Sequence, residues 1–277
     1  MQTNDKHILS KLKLNEMFAA FYRVFLPSLI LSLPLYFLGE YHHLSNIKFI
    51  QYTLANVAGN IINTLLWYFI IKKFDISYIA IIKTTQPFIF AVISFFILDE
   101  VLSKITILGL FAVILGSIFL EKSRLEKNKK FRFMKSGWPL ILLQMIIAGI
   151  ITNFSKMAVL ETSPLIYIWL RYSIMSSIFY VLYKMKFNKR TMFKKGIQKI
   201  DKKYIFPASL SGILLLISTI CEMYALKFLP ISIVETITRF DLIILLIIEY
   251  KFITKRINKT RIASALLVMI GIILTSC

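Results

Sequence analysis

Hydrophobic residues in this chain form long continuous runs, and the breaks between the runs are short and polar. The runs show no alternation of apolar and polar residues, which argues against half-buried strands. A helix that crosses a membrane needs about 20 mostly apolar residues, because lipid offers no partner to a free backbone N–H or C=O group. By this length the runs predict nine transmembrane helices, at about residues 15–38, 49–71, 76–98, 105–120, 138–159, 165–183, 204–226, 231–252 and 262–276. The chain is therefore predicted to be an all-α polytopic membrane protein.

Composition favours a membrane protein over a soluble nucleic-acid-binding domain. Hydrophobic residues make up 57% of the 277 residues and charged residues 17%, while the formal net charge is +20. Soluble domains carry about 25% charged residues, and nucleic-acid-binding proteins spread basic residues over a polar surface rather than between long apolar runs. The few histidines and cysteines have no spacing typical of a metal site or a disulfide framework. We therefore expect no cofactor, no metal and no nucleic-acid partner.

Lys and Arg residues cluster on one side of the predicted membrane. That side holds the N-terminal Lys6, Lys11 and Lys13 and the segments 72–73, 122–135, 184–203 and 251–261. The opposite side holds Lys48, Lys104 and Lys227. Because basic loops remain in the cytoplasm, we expect an integral protein of a bacterial inner (plasma) membrane, with the N-terminus cytoplasmic and the C-terminus outside.

The second half of the chain repeats the first. An offset of 155 residues aligns Lys72, Lys104, Val113 and Gly116 with Lys227, Lys259, Val268 and Gly271. One helix earlier, an offset of 148 residues aligns Arg23 with Arg171. Loops and helices stay in phase throughout, so the first four predicted helices correspond to the last four.

The helix at 138–159 has no counterpart in the first half. The repeat is therefore five helices long, and the first copy lacks its leading helix. An odd number of helices inverts the second copy relative to the first, an arrangement common in secondary transporters. The predicted organisation is two inverted repeats of four plus five helices: a first repeat at 1–120, a basic cytoplasmic linker at 121–137 and a second repeat at 138–277.

Three segments carry a recognisable pattern. They are Met17-Phe-Ala-Ala-Phe-Tyr-Arg23, the stretch from Ser77 through Gln86-Pro87 to Asp99-Glu100, and the closing helix from Ile107-Leu108-Gly109 to Gly116. The chain resembles, over nearly its whole length, the EamA-type transporters of the drug/metabolite transporter superfamily. The resemblance implies ten helices in two inverted repeats of five. It also implies alternating-access transport of small metabolites, with amino acids and S-adenosylmethionine among the solutes moved.

The chain departs from that pattern in two places. The helix that precedes the Arg23 segment in the family is missing, so the first of ten helices is expected to be absent. The second copy has Ile253-Thr254-Lys255-Arg256 where the first has Leu98-Asp99-Glu100.

A stripe of polar residues follows one face of the second helix. Asn56, Asn60, Asn63 and Trp67 are spaced by three or four residues, as on one side of a helix. The corresponding helix of the second copy supplies Ser211, Ser218 and Glu222. We predict that these residues line a substrate cavity, the alternative being that Asn and Ser hold neighbouring helices together by hydrogen bonds.

Ionisable residues inside the predicted membrane are mostly basic. They are Arg23, Lys83, Lys156, Arg171 and Arg239 against Glu222, Glu235 and Asp241. Each costs about 2.5 to 3.5 kcal/mol at the bilayer centre on insertion scales, and so each marks a candidate site. Besides the polar stripe, we predict substrate contacts from Lys83, Gln86, Arg171 and Arg239. The basic excess favours an anionic or zwitterionic small molecule.

For two pairs of these charged residues, the sequence allows a role other than substrate binding. Arg171 and its counterpart Arg23 could hold a carboxylate by forked hydrogen bonds, or could anchor the helices at the interface. Glu235 and Arg239, four residues apart, could pair without any substrate.

Glu222 and Asp241 are the predicted proton-coupling residues, because burial in an apolar environment disfavours the charged form of a carboxyl group.

The preferred function is a secondary transporter, or permease, of a metabolite such as an amino acid or S-adenosylmethionine. One alternative is a non-transporting accessory or truncated membrane subunit. A membrane-embedded lipid-modifying enzyme is less favoured, because such chemistry usually needs a metal-binding Asp/His cluster, and we expect the protein not to be an enzyme. The predicted partners are a small-molecule substrate and the lipid bilayer, and homodimer formation stays open.

Overall fold

The computed structural model describes residues 16–74, 79, 82–125, 137–191, 205–240, 244 and 259–276. These residues form nine α-helices and no strand: α1 Glu16–Leu38, α2 Ile47–Lys73, α3 Gln86–Leu98, α4 Lys104–Leu125, α5 Trp138–Glu161, α6 Pro164–Thr191, α7 Ile205–Phe228, α8 Ile231–Thr238 and α9 Lys259–Ser276. A 3-10 helix at Glu40–Ser45 joins α1 to α2. The prediction of an all-α protein is confirmed.

Five helices of the described chain are long and apolar enough to cross a membrane: Ala20–Leu38, Ile47–Lys73, Trp138–Glu161, Pro164–Met185 and Ser209–Phe228. Three further apolar helices are shorter: Gln86–Leu98, Lys104–Phe119 and Ile262–Thr275. The predicted span at 231–252 is described mainly through α8. The basic segments at 126–135, 192–203 and 251–258 lie outside the described residues.

The outer faces of these helices are apolar. On α1, Leu33 is 66% exposed and Phe37 is 77% exposed, whereas Leu31 and Leu35 on the opposite face are buried. A helix that is apolar on its exposed face as well as its buried face is suited to lipid rather than to water. The protein is therefore a polytopic membrane protein.

Contacts divide the chain into two compact units. Unit 1 comprises Met1–Tyr68 and Phe154–Lys227, and unit 2 comprises Phe69–Asn153 and Phe228–Cys277. Each unit draws residues from both predicted repeats. The predicted boundaries at 120 and 138 between first repeat, linker and second repeat stay a prediction.

Within unit 1, α1 and α6 pack side by side in opposite directions. The rings of Phe21 and Tyr180 lie 5.5 Å apart between centroids, and Trp169 Nε1 donates a hydrogen bond to Ser32 Oγ at 3.0 Å. The partner number on α6 falls as the number on α1 rises, so the helices are antiparallel. The offset of 148 residues converts one contact into the other, because Phe21 corresponds to Trp169 and Ser32 to Tyr180.

Within unit 2, α4 and α9 show the same relation. A Cβ atom placed on Gly116 would lie 2.8 Å from Val268 Cγ2, and one placed on Gly271 would lie 2.6 Å from Val113 Cγ2. The offset of 155 residues exchanges these two contacts. Small residues let the helix backbones approach closely, as is common in membranes. The inverted relation of the two copies, predicted from the repeat, is present in each unit.

Loops at one end of unit 1 confirm the alternating direction of its helices. Ser163 Oγ, in the turn between α5 and α6, donates to Glu40 Oε2 after α1. Lys227 Nζ, near the end of α7, donates to the carbonyl of Thr162 at 3.3 Å. The ends of α1, α5 and α7 and the start of α6 therefore lie together, as consecutive crossings require.

A side chain from the end of α3 stabilises the start of α8 in unit 2. Asp99 ends α3 with a positive φ of 53°, which Asp tolerates better than most residues. Glu100 Oε2 then accepts a hydrogen bond from the backbone N–H of Ile231 at 3.0 Å. This N–H has no partner within its own helix, and the negative charge suits a helix N-terminus.

Replacing Glu100 by Ala is expected to lower the free energy of unfolding by about 1 kcal/mol, because the first N–H group of α8 loses its acceptor. Glu100→Gln, which retains a carbonyl oxygen, should lose less. Thermal unfolding of the detergent-purified protein would measure both. Equal melting temperatures for Glu100→Ala and the unsubstituted protein would contradict this role.

Candidate functional site

The predicted site residues divide between the two units. Unit 1 contains Asn56, Asn60, Asn63, Trp67, Arg171, Ser218 and Glu222. Unit 2 contains Lys83, Gln86 and Arg239. Asp241 lies outside the described residues.

The predicted span at 76–98 is interrupted inside unit 2. The backbone N–H of Thr85 bonds to the carbonyl of Ile82 at 3.2 Å, one residue tighter than in an α-helix. A new helix, α3, begins at Gln86. The physical cause is Pro87, which has no N–H and whose ring clashes with the carbonyl four residues earlier, so that a helix can start here but cannot run through. The apolar run is therefore not one continuous helix, because a turn at Thr84 and Thr85 precedes α3.

The corresponding helix of the second copy is interrupted at the matching position. α8 ends at Thr238, and the backbone N–H of Arg239 bonds to the carbonyl of Thr236 at 3.0 Å. Arg239 is offset by 155 residues from Thr84, which lies in the first interruption. The Thr238 hydroxyl donates a hydrogen bond to the backbone carbonyl of Glu235 at 2.7 Å. Interrupted membrane helices at repeat-related positions are a common place for transporters to bind their solutes.

Four polar side chains lie at these two interruptions, and we call them the break cluster: Lys83, Gln86, Glu235 and Arg239. Gln86 Nε2 donates to Glu235 Oε2 at 3.0 Å. Arg239 Nη2 lies 4.0 Å from the same oxygen, and the two charged side chains are 12% and 11% exposed. Lys83 lies close enough for both charges to act on it. The predicted pairing of Glu235 with Arg239 is confirmed at the limit of ion-pair distance.

A second cluster surrounds Arg171 in unit 1. The Arg171 guanidinium lies over the rings of Tyr172 and Tyr167, at 4.9 and 5.7 Å from their centroids. Glu222 on α7 lies near enough for the two opposite charges to interact. The Tyr172 hydroxyl shares a hydrogen bond of 2.8 Å with Thr219 Oγ1. We call Tyr167, Arg171, Tyr172, Thr219 and Glu222 the Arg171 cluster.

The polar stripe on α2 is tied into a network of buried hydrogen bonds. Asn56 is fully buried, and its Nδ2 donates to Ser155 Oγ at 2.7 Å. Ser155 also accepts from the Tyr167 hydroxyl at 2.8 Å, while Asn60 Nδ2 donates to Asn56 Oδ1 at 2.8 Å. The network joins α2, α5 and α6, and so Asn56 has the helix-joining role that was the alternative to cavity lining. Asn63 and Trp67 are half-buried further along α2.

On α7 the buried polar position is Thr219 rather than the predicted Ser218. Thr219 is 3% exposed, whereas Ser218 lies on the exposed face. The buried row of α7 runs through Leu216, Thr219 and Met223, with helical spacing. One residue turns a helix by about 100°, so neighbouring positions face in different directions. The sequence signal that could have found Thr219 is this apolar row.

Metal binding has no support in the described part of the chain. It contains no group of three or more His, Cys, Asp or Glu side chains arranged to hold an ion. The expectation of no metal and no cofactor stays a prediction.

The antiparallel repeat contacts, the interrupted helices and the partly buried charged clusters are together typical of a polytopic membrane protein of the transporter class. The model of the EamA-like transporter family matches residues 6–121 and 135–277. The chain therefore belongs to the EamA-like transporter family and is a membrane transporter of the drug/metabolite transporter type. The resemblance seen in the sequence is confirmed. A search of curated proteins found no significant match.

Proposed function

We propose that the protein is a secondary transporter that moves a small zwitterionic or anionic metabolite, such as an amino acid or S-adenosylmethionine, by alternating access. The observation that carries the proposal is the Arg171 guanidinium over the Tyr167 and Tyr172 rings, with a buried Nε atom and with Glu222 of the same unit within electrostatic range. A guanidinium binds a carboxylate through two parallel hydrogen bonds, and a carboxylate pairs with an ammonium group. The two side chains therefore complement both charged ends of an amino acid.

The surroundings of Arg171 support a binding role. Its guanidinium plane lies against two tyrosine rings, which restrict its orientation. Its Nε atom is buried and has no hydrogen-bond partner among the described residues. Buried donors are nearly always paired, so an oxygen atom of a bound solute would complete the set.

Transport is tested by uptake of radiolabelled solutes into proteoliposomes under an imposed pH gradient. Amino acids of each charge type and S-adenosylmethionine form the first panel, with uncharged sugars and cationic amines as comparison solutes. Accumulation of a zwitterion or an anion above that in protein-free liposomes is expected. Accumulation of a sugar or an amine alone would refute the proposed substrate class.

Glu222, together with Asp241, is proposed as the group that binds and releases the proton that couples transport to the pH gradient. In the same liposomes, Glu222→Gln should abolish the dependence of uptake on the pH gradient. Uptake that retains its full dependence in this variant would remove Glu222 from the coupling mechanism.

Orientation in the membrane is proposed from the distribution of basic residues, with the N-terminus in the cytoplasm and the C-terminus outside the inner membrane of a bacterium. Alkaline phosphatase fused after Cys277 should be active, because it folds only outside the cytoplasm, and a green fluorescent protein fused there should be dark. Fusions after Lys130, in the basic linker, are the matched controls and should give the opposite pattern. A fluorescent C-terminal fusion would reverse this orientation.

The proposal includes no enzymatic activity. The partners stay predictions: a small-molecule substrate, the lipid bilayer and no nucleic acid. Homodimer formation stays open.

A further inference from the structure

We propose that the break cluster in unit 2 is an oxyanion-binding site in which the carboxylate of Glu235 is an internal ligand that an incoming carboxylate or phosphate group replaces. The break cluster shares no residue with the Arg171 cluster of unit 1. Its place in a transport cycle rests on the proposed function, whereas its ability to bind an oxyanion does not.

Arg239 is the main element of the site. Its planar guanidinium presents five N–H donors, and its side chain is 12% exposed. Arg239 Nη2 lies 4.0 Å from Glu235 Oε2, which is beyond hydrogen-bond distance. The Arg239 Nε atom is buried without a hydrogen-bond partner in the described chain. A buried guanidinium in this state is destabilising, and an oxygen ligand held by two N–H groups would remove the penalty.

Gln86 supplies a further donor from the other interrupted helix. Its side-chain amide donates to Glu235 Oε2 at 3.0 Å. Gln86 is the first residue of α3, and the preceding Thr85 makes no side-chain hydrogen bond to the helix start. The free N–H groups at a helix start favour negative charge. Glu235 therefore already brings its own carboxylate to the side chain of the first residue of α3.

The charges of the cluster also favour an added anion. Lys83 and Arg239 are basic and Glu235 is acidic, so the described side chains carry one positive charge more than negative. Asp241 follows the same interruption in sequence, but it lies outside the described residues. Ionisable side chains within a membrane are costly and are usually paired, and an oxyanion would give the two basic side chains a further partner of opposite charge.

Replacement of Glu235 by a ligand would break a link between two helices. Gln86 and Glu235 lie on α3 and α8, at interruptions that correspond in the two repeats. A carboxylate that takes the donors of Arg239 and Gln86 competes directly with Glu235, because Gln86 Nε2 and Arg239 Nη2 lie 3.0 and 4.0 Å from the same Glu235 oxygen. Binding would thus break this one hydrogen bond between α3 and α8, while the bond from Ile231 N–H to Glu100 remains.

The test is anion-dependent thermal unfolding of the detergent-purified full chain, followed by tryptophan fluorescence. The probes are sodium acetate and inorganic phosphate, each compared with sodium chloride at matched ionic strength. The measurements are made in the Arg171→Gln background as well, so that binding at the unit 1 cluster is separated from binding here. We expect at least one probe to raise the melting temperature above the chloride value in both backgrounds.

Two variants decide the mechanism. Glu235→Gln keeps the shape and a hydrogen-bond acceptor but removes the competing charge, so the probe should act at a roughly tenfold lower concentration, equivalent to about 1.4 kcal/mol. The double variant Arg239→Gln/Glu235→Gln leaves no unpaired charge in the pair and should lose the effect of the probe. The double variant is used because Arg239→Gln alone would leave the Glu235 charge without its partner, which can destabilise the fold.

Three outcomes would overturn the proposal: no probe effect beyond chloride in the Glu235→Gln variant, an undiminished effect in the double variant, or an effect that disappears in the Arg171→Gln background. A response to acetate but not phosphate assigns the site to carboxylates, and the reverse assigns it to phosphates. Absence of solute uptake together with a positive probe response would refute the transport proposal alone.

Discussion

Arg171→Gln is expected to reduce solute uptake by roughly two orders of magnitude, because loss of a buried, forked pair with a carboxylate costs about 3 kcal/mol. The conservative Arg171→Lys should recover only part of the activity, since an ammonium cannot form two parallel hydrogen bonds with one carboxylate. Initial rates of uptake over a range of substrate concentrations in proteoliposomes would show the loss mainly as a raised KM.

A structural role for Arg171 needs to be separated from a binding role. The single variant leaves Glu222 without its opposite charge, which can destabilise the fold by itself. Arg171→Gln/Glu222→Gln removes both charges and is expected to unfold near the temperature of the unsubstituted protein while remaining inactive. Recovery of uptake in this double variant would show that the pair is only structural. Lys227→Gln, a charge loss at the end of α7 in the same unit, is the matched control and should transport normally.

Gly271→Ala is expected to lower the free energy of unfolding by about 3 kcal/mol. The added Cβ atom would lie 2.7 Å from the Val113 backbone nitrogen and 2.8 Å from the Gly109 carbonyl oxygen. Backbone atoms of a packed helix cannot move aside separately, so α4 and α9 would have to separate, which is the general cost of overpacking. Gly116→Ala, its repeat counterpart, should behave in the same way.

Gly212→Ala provides a matched control on α7. The nearest atom to an added Cβ there is the Arg23 carbonyl oxygen at 3.5 Å, an ordinary contact. Because Ala is favoured over Gly inside a helix by about 1 kcal/mol, this variant should melt at or above the temperature of the unsubstituted protein. If Gly271→Ala also melted at or above the temperature of the unsubstituted protein, close backbone contact between α4 and α9 would not be needed for stability.

The sequence alone predicted the helices and their inverted arrangement. In lipid the backbone must satisfy its own hydrogen bonds, so the length of each apolar run is enough to indicate a spanning helix. The offset of 155 residues that aligns Gly116 with Gly271 also predicted that the two copies correspond. Pro87 marked the first interruption, because its ring is incompatible with a continuous helix.

The second interruption had no such signal. Leu242 occupies the position that corresponds to Pro87, and the break at Arg239 is visible only in the backbone hydrogen bonds. Glu235 was predicted to pair with Arg239, four residues away on one helix face, but its contact with Gln86 links residues 149 positions apart. Helical periodicity describes only neighbours on a single helix.

The local pattern thus determined the class of protein, the spans, the repeat and the identity of the charged residues inside the membrane, since each of these depends on residue types and their spacing along the chain. Tertiary packing decided which charges and hydroxyls meet. It placed Thr219 rather than Ser218 on the buried face of α7. It also brought the Asn56 side chain within hydrogen-bond distance of Ser155, and Arg171 close to two tyrosines and Glu222. The reason is that side chains distant in sequence become neighbours through the rotation and depth of each helix against its neighbours, which the apolar pattern of any one helix does not specify.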